Sequence, residues 1–126
     1  MKRILFFIAI SFFGTIIYAQ NKLDLTGKVF RQVNKIKGNA TELMFKSNTE
    51  VLYVITNVIG GKTYIDECPG KATVQGNKIT INCICPDREL YPDPLKDSFT
   101  FDEKTQNLTS TSYRSADGVY FIWKQN

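Results

Sequence analysis

The stretch from Cys68 to Cys85, Cys-Pro-Gly-Lys-Ala-Thr-Val-Gln-Gly-Asn-Lys-Ile-Thr-Ile-Asn-Cys-Ile-Cys, constrains this chain more than any other part of it. Gly76-Asn77 is flanked by alternating apolar and polar residues and reads as a two-residue hairpin turn with glycine first, where φ must be positive. Such a turn sets the register outward from Gln75 opposite Lys78. Val74 then meets Ile79, Ala72 meets Ile81, Gly70 meets Cys83 and Cys68 meets Cys85. Because the Gln75–Lys78 rung is hydrogen-bonded, Cys68 and Cys85 fall at a non-hydrogen-bonded rung, where side chains approach most closely. That register pairs Cys68 with Cys85 and leaves Cys83 as a free thiol. A bulge at Pro69-Gly70, where proline cannot donate to a rung, would instead bring Cys68 opposite Cys83. Cys83 with Cys85 is disfavoured, since neighbours two apart on a strand stand roughly 6.5–7 Å apart, against about 3.8 Å between the β-carbons of a disulfide.

A disulfide requires an oxidising compartment. The N-terminus supplies a route to one: Lys2-Arg3 form a basic start, Ile4 to Tyr18 is mostly aliphatic and aromatic, and Ala19 precedes Gln20 at a plausible cleavage point. This pattern predicts a signal peptide over 1–19 and a single domain over 20–126, exported to the periplasm or the extracellular space. Fifteen helical residues would rise only about 22 Å, against roughly 30 Å of hydrocarbon, so no stable membrane span is expected after cleavage. Cleavage also removes two of the sixteen Lys and Arg, leaving fourteen against twelve acids. With the basic residues scattered singly along a nearly neutral chain, nothing resembles a nucleic-acid footprint.

The remaining chain reads as short strands and tight turns. Leu25 to Val33 alternates and is expected to be the first strand, and Asn34 to Asn39 a polar connection. Thr41–Lys46 and Glu50–Thr56 form a hairpin around Ser47-Asn48-Thr49, with Asn48 able to take the left-handed conformation. Asn57 to Lys62 turns through Gly60-Gly61, and Thr63–Glu67 leads into the cysteine hairpin. Pro86 to Leu95 carries three of the four prolines and must be a loop. Ser98–Phe101, Leu108–Arg114 and Val119–Lys124 complete the set, with a turn at Ser115 to Gly118 before the last. No stretch repeats apolar residues at helical spacing.

Eight or nine short strands joined by tight turns pair antiparallel in sequence order, and closure into an up-and-down barrel removes the edges an open sheet would expose. The fold class expected is all-β, a single small antiparallel barrel of about eight strands. Leu25-Thr26-Gly27-Lys28-Val29-Phe30, Phe45-Lys46-Ser47-Asn48, Thr63-Tyr64 and Gly76-Asn77-Lys78-Ile79-Thr80-Ile81 resemble the small secreted lipocalin-like (calycin-type) domains of bacteria. The resemblance covers most of residues 20–126 and implies a lipocalin-like barrel.

Enzymatic machinery is sparse. The chain has no histidine, which excludes Ser-His and Cys-His nucleophile pairs and imidazole ligands, and it lacks a glycine-rich phosphate loop. No metal site and no cofactor are expected, and the protein reads as a non-enzyme. Asp66-Glu67 and Asp87, Glu89 come to the same end of the hairpin register, but acids in a proline-rich surface loop are ordinarily just solvated. Two functions remain. In the first, inward aromatics Phe30, Tyr53, Tyr64, Phe99, Phe101, Tyr113, Phe121 and Trp123 line a site for a small apolar or amphipathic ligand. So many large side chains also suffice to fill a narrow barrel, so any cavity is expected to be modest, not well above about 300 Å³. In the second, the protein is an interaction module, a periplasmic inhibitor or envelope-associated partner. It would work through the loop residues Asp87, Arg88, Glu89 and Tyr91, with Leu90 and Tyr91 otherwise plugging a barrel end, or through a patch of Leu52, Val54, Tyr120 and Ile122.

Overall fold

The structure, a computed structural model, describes residues 23–32, 39–114, 118 and 120–125. The expected signal peptide and its cleavage point, Val33, the connection up to residue 38, the turn at 115–117 and Val119 lie outside the described residues. All regular structure described is β. Eight strands run β1 (Val29–Gln32), β2 (Ala40–Phe45), β3 (Glu50–Ile59), β4 (Lys62–Gln75), β5 (Lys78–Cys83), β6 (Leu95–Asp102), β7 (Asn107–Arg114) and β8 (Tyr120–Gln125). Every neighbour in sequence pairs antiparallel, and β1 pairs with β8, so the sheet closes into an up-and-down barrel.

Three boundaries differ from the sequence expectation. The strand expected at Thr63–Glu67 and the first arm of the cysteine hairpin are one continuous strand, β4, so the described residues hold eight strands. Both β3 and β4 run up to the Gly60-Gly61 turn, so the Asn57 to Lys62 turn shrinks to those two residues. The first strand begins at Val29, and Leu25 does something else: it is fully buried as a plug.

Asn48 explains that plug. Its side chain accepts the Leu25 amide at 2.8 Å and donates to the Leu23 carbonyl at 2.8 Å. It does not adopt the left-handed backbone, which among non-glycine residues is held by Gln106 alone in the described chain. An Asn at a hairpin tip is thus spent on tying the N-terminal segment across the barrel end, and Gly27 donating to the Phe45 carbonyl at 2.9 Å continues the seam. This closed end also carries the β4–β5 and β6–β7 turns.

The cysteine hairpin has the expected register. Gln75 pairs with Lys78, Ala72 with Ile81 and Gly70 with Cys83, and Gly76 has φ of 62°. One rung further, Ile84 donates to the Pro69 carbonyl at 3.0 Å, and Cys68 and Cys85 form the disulfide. No bulge intervenes. Pro69 has no N–H to return, so the β4–β5 ladder fades there and the chain after Cys85 is free to leave as a loop. Gly70 lets the two strands close: a Cβ there would lie 2.5 Å from Cys83 Sγ and 2.3 Å from the Asn82 carbonyl oxygen. The missing side chain is the space that the inward Cys83 fills.

Inward positions alternate along each strand and fill the barrel from the closed end. Leu25, Phe30, Leu43, Phe45, Ile79, Ile81, Phe99 and Leu108 are buried in one cluster, with Trp123 toward the other end. Rings meet edge to face: Phe30 with Phe45 at 5.8 Å and Phe99 with Trp123 at 5.7 Å between centroids. Such pairs add about 0.5–1.5 kcal/mol each beyond their buried area.

Candidate functional site

At the end opposite the Leu25 plug the described residues form a cleft. Here β1 and β3 finish, β6 and β8 begin, and the buried cluster, which includes Cys68, Cys83 and Cys85, reaches Trp123. Above it lies this cleft of about 380 Å³, partly open to solvent, with Gln32, Tyr53, Asp97, Tyr113, Phe121 and Trp123 in its walls. Alternation brings these side chains together: Gln32, Asp97, Phe121 and Trp123 share the inward parity of the buried core residues on their own strands. Tyr53 reaches the site from β3, its ring 5.8 Å from Trp123 in an edge-on arrangement.

The polar centre is Asp97, only 7% exposed. Ser110 donates its hydroxyl to the carboxylate, at 2.9 Å from Oδ1 and 3.2 Å from Oδ2, and the Ser98 amide donates to Oδ1 at 2.7 Å. The Ser110 oxygen in turn accepts the Tyr113 amide at 3.1 Å. That contact falls where the β7–β8 register shifts between Thr109 and Arg114. A bulge of this kind re-aims a side chain. One buried serine therefore both holds Asp97 and shapes the turn of backbone that delivers Tyr113 to the rim, where the Tyr113 hydroxyl donates to the Lys96 carbonyl at 3.1 Å. Burial raises the Asp97 carboxyl above its ordinary value, against the lowering effect of its hydrogen bonds from Ser110, Ser98 and Ser112. Burial first, then the charge of Asp97, holds the Tyr53 phenol well above its ordinary value. Trp123 is 1% exposed, and its indole N–H has no hydrogen-bond partner among the described residues.

The eight aromatics named from sequence separate into three groups. Phe30, Phe99, Phe101 and Trp123 are buried and fill the barrel, with Trp123 also forming the floor of the cleft. Tyr53, Tyr113 and Phe121 line the cleft, Tyr113 from the rim at 52% exposure. Tyr64, 50% exposed on the β3–β4 arm, is not among the cleft residues. Asp97 and Ser110 were missed, although an acid placed among inward apolar positions of a strand, Leu95-Lys96-Asp97-Ser98-Phe99, was a signal that could have found Asp97.

The proline-rich loop is built on itself. Asp87 accepts the amides of Glu89 and Leu90 at 3.2 and 3.0 Å, and the Arg88 guanidinium donates to the Pro92 carbonyl at 2.7 Å. Of the expected plug, only Tyr91 packs against the core; Leu90 is 62% exposed. The Tyr91 hydroxyl donates to Asp66 at 3.4 Å, which joins the loop to β4. Leu52 and Val54 do not form one patch with Tyr120 and Ile122, because the outward rungs between β3 and β8 hold Glu42, Arg31 and Lys124. Exposed apolar side chains gather instead on the β3–β4 arm at Val58, Ile59, Tyr64 and Ile65. A larger groove of about 470 Å³ runs along the outer wall past Lys46, Leu52, Pro69, Lys71 and Ile84. It lies on the outer faces of strands with lysines along it, and lacks the aromatic walls and buried acid of the mouth.

No helix among the described residues is long and apolar enough to cross a membrane. No family model, no curated protein and no solved structure matches this chain.

Proposed function

We propose that this protein is an exported, non-catalytic, lipocalin-like barrel that binds a small apolar or amphipathic molecule in its open mouth. The observation that carries this reading is the cleft over Trp123, concave, walled by Tyr53, Tyr113 and Phe121, and closed below by a filled core. Its volume sits at the lower end of the range of small-molecule sites, roughly 300–1,000 Å³. The site is therefore sized for a compact ligand and not for a long acyl chain threading the barrel. The Cys68–Cys85 disulfide supports export, and the rigid frame with a single aromatic mouth supports binding over catalysis.

Trp123 is the only tryptophan, so its fluorescence reports the site directly. Titration with a neutral apolar probe such as N-phenyl-1-naphthylamine is expected to change Trp123 emission saturably, and Phe121→Arg to abolish the change. An unchanged emission up to the solubility limit of the probe would contradict the reading. The exposed apolar side chains of the β3–β4 arm favour a second reading, a protein-interaction module, and failure of the probe titration would leave that one standing.

A further inference from the structure

The composition of the mouth narrows the ligand class, on the understanding that the mouth is a binding site at all. The acid in its wall is Asp97, which is buried. Of the basic residues only Lys96 borders the cleft among the described residues, and it alternates with Asp97 along β6, so its exposed side chain belongs to the outer face. A carboxylate taken out of water without a cation is costly unless it is paired or fully hydrogen-bonded. Asp97 is held by the Ser110 hydroxyl and the Ser98 amide, with Ser112 as a further side-chain donor, which satisfy part of its four acceptor positions. Around it stand the rings of Tyr53, Tyr113, Phe121 and Trp123. Aromatic faces attract cations, more strongly where water is displaced, and they repel anions. The serine and amide donors hold the carboxylate in place; the rings and the floor supply the apolar remainder.

We infer that the mouth binds a small organic cation, a primary ammonium on a compact aryl or alkyl body, with the ammonium donating to the Asp97 carboxylate and the body packed among Tyr53, Phe121 and Trp123. An anionic amphiphile of the same size would place its charge beside Asp97 and is selected against. A neutral analogue keeps the apolar contacts but forfeits the charge-assisted hydrogen bond, which is about twice as strong as a neutral one.

The test is a matched series on the intact domain at neutral pH, read by Trp123 fluorescence and by calorimetry: 2-phenylethylammonium, 2-phenylethanol and phenylacetate. The inference expects the ammonium to bind about tenfold or more tighter than the alcohol, with the carboxylate weakest. Asp97→Asn, close to isosteric, is expected to bring the ammonium down to the affinity of the alcohol, and Phe121→Leu to weaken the ammonium more than the alcohol. Equal affinities for ammonium and alcohol in the unaltered protein would overturn the cation inference while leaving the binding barrel intact. Tightest binding by phenylacetate would overturn it as well. No binding by any of the three, with none by the neutral naphthylamine probe, would overturn both readings together. The comparison in the unaltered protein depends on no variant folding correctly.

Discussion

Two residues show how far a single side chain, or its absence, governs this molecule. Gly70 sits where β4 and β5 approach so closely that a methyl group would overlap Cys83 and the Asn82 backbone. Neither obstacle is a flexible side-chain tip, so the strands themselves must part. Gly70→Ala is therefore expected to lower stability by about 1–3 kcal/mol, the ordinary range for overpacking, measured by denaturant unfolding; a neutral effect would show that the ladder relaxes freely at that rung. Asp97 is the second. Its folded-state value is raised by burial, so between the unfolded carboxyl value and the raised native one the folded state holds more protons than the unfolded state. Stability contributed at this site then falls as pH rises through that window and levels off above it. Unfolding measured from acid to neutral pH should show a decline with rising pH that is absent in Asp97→Asn; a contribution that instead grows with pH would mean that the Ser110, Ser98 and Ser112 hydrogen bonds outweigh burial. Cys83 completes the residue scale: buried beside the bridge, its thiol is pushed up to about 11, which keeps it in the unreactive protonated form.

At the scale of elements, the cysteine hairpin was legible because its turn chemistry and its alternation agree. Gly76 takes positive φ, the register follows residue by residue, and the disulfide lands at the non-hydrogen-bonded rung that alternation requires. Where the sequence misled, a side chain had been given a local role and took a distant one. Asn48 at a hairpin tip reads as a left-handed turn residue, yet it binds Leu23 and Leu25, more than twenty positions away. Leu25 in an alternating run reads as strand, yet it is the plug that this asparagine holds. The bulge that delivers Tyr113 was invisible for the same reason, because its cause is a hydroxyl, Ser110, shared between its own backbone and a carboxylate on the adjacent strand. The disulfide itself closes a loop with a sequence separation of 17. Replacing both cysteines by serine is expected to cost about 3 kcal/mol from the loop-closure estimate, seen as a lowered unfolding midpoint. No loss of stability on replacement would place the bridge outside the set of interactions that hold the fold.

For the whole molecule, eight antiparallel strands in sequence order close upon themselves, and the two ends are built differently. One end is sealed by Leu25 and three tight turns; the other keeps an aromatic cleft around a buried acid. The barrel was legible from strand number and turn spacing, since an open sheet of that length would leave edges to aggregate. The division of the aromatics between filler and site was not, because parity along a strand says which face a residue takes but not how deep along the axis it lies. Phe99 and Tyr113 share the label of aromatic strand residue, and only closure of the barrel places one in the core and the other at the rim. The central claim is that the barrel is filled below Trp123 and receptive above it. Backbone and side-chain chemical-shift mapping during titration with 2-phenylethanol, a neutral ligand, tests that claim most directly. Saturable shifts at Gln32, Tyr53, Asp97, Tyr113, Phe121 and Trp123, with Leu25, Phe45, Ile79 and Leu108 unmoved, are the predicted result; shifts confined to Leu52, Pro69 and Ile84 on the outer wall, or spread through the closed end, would contradict it.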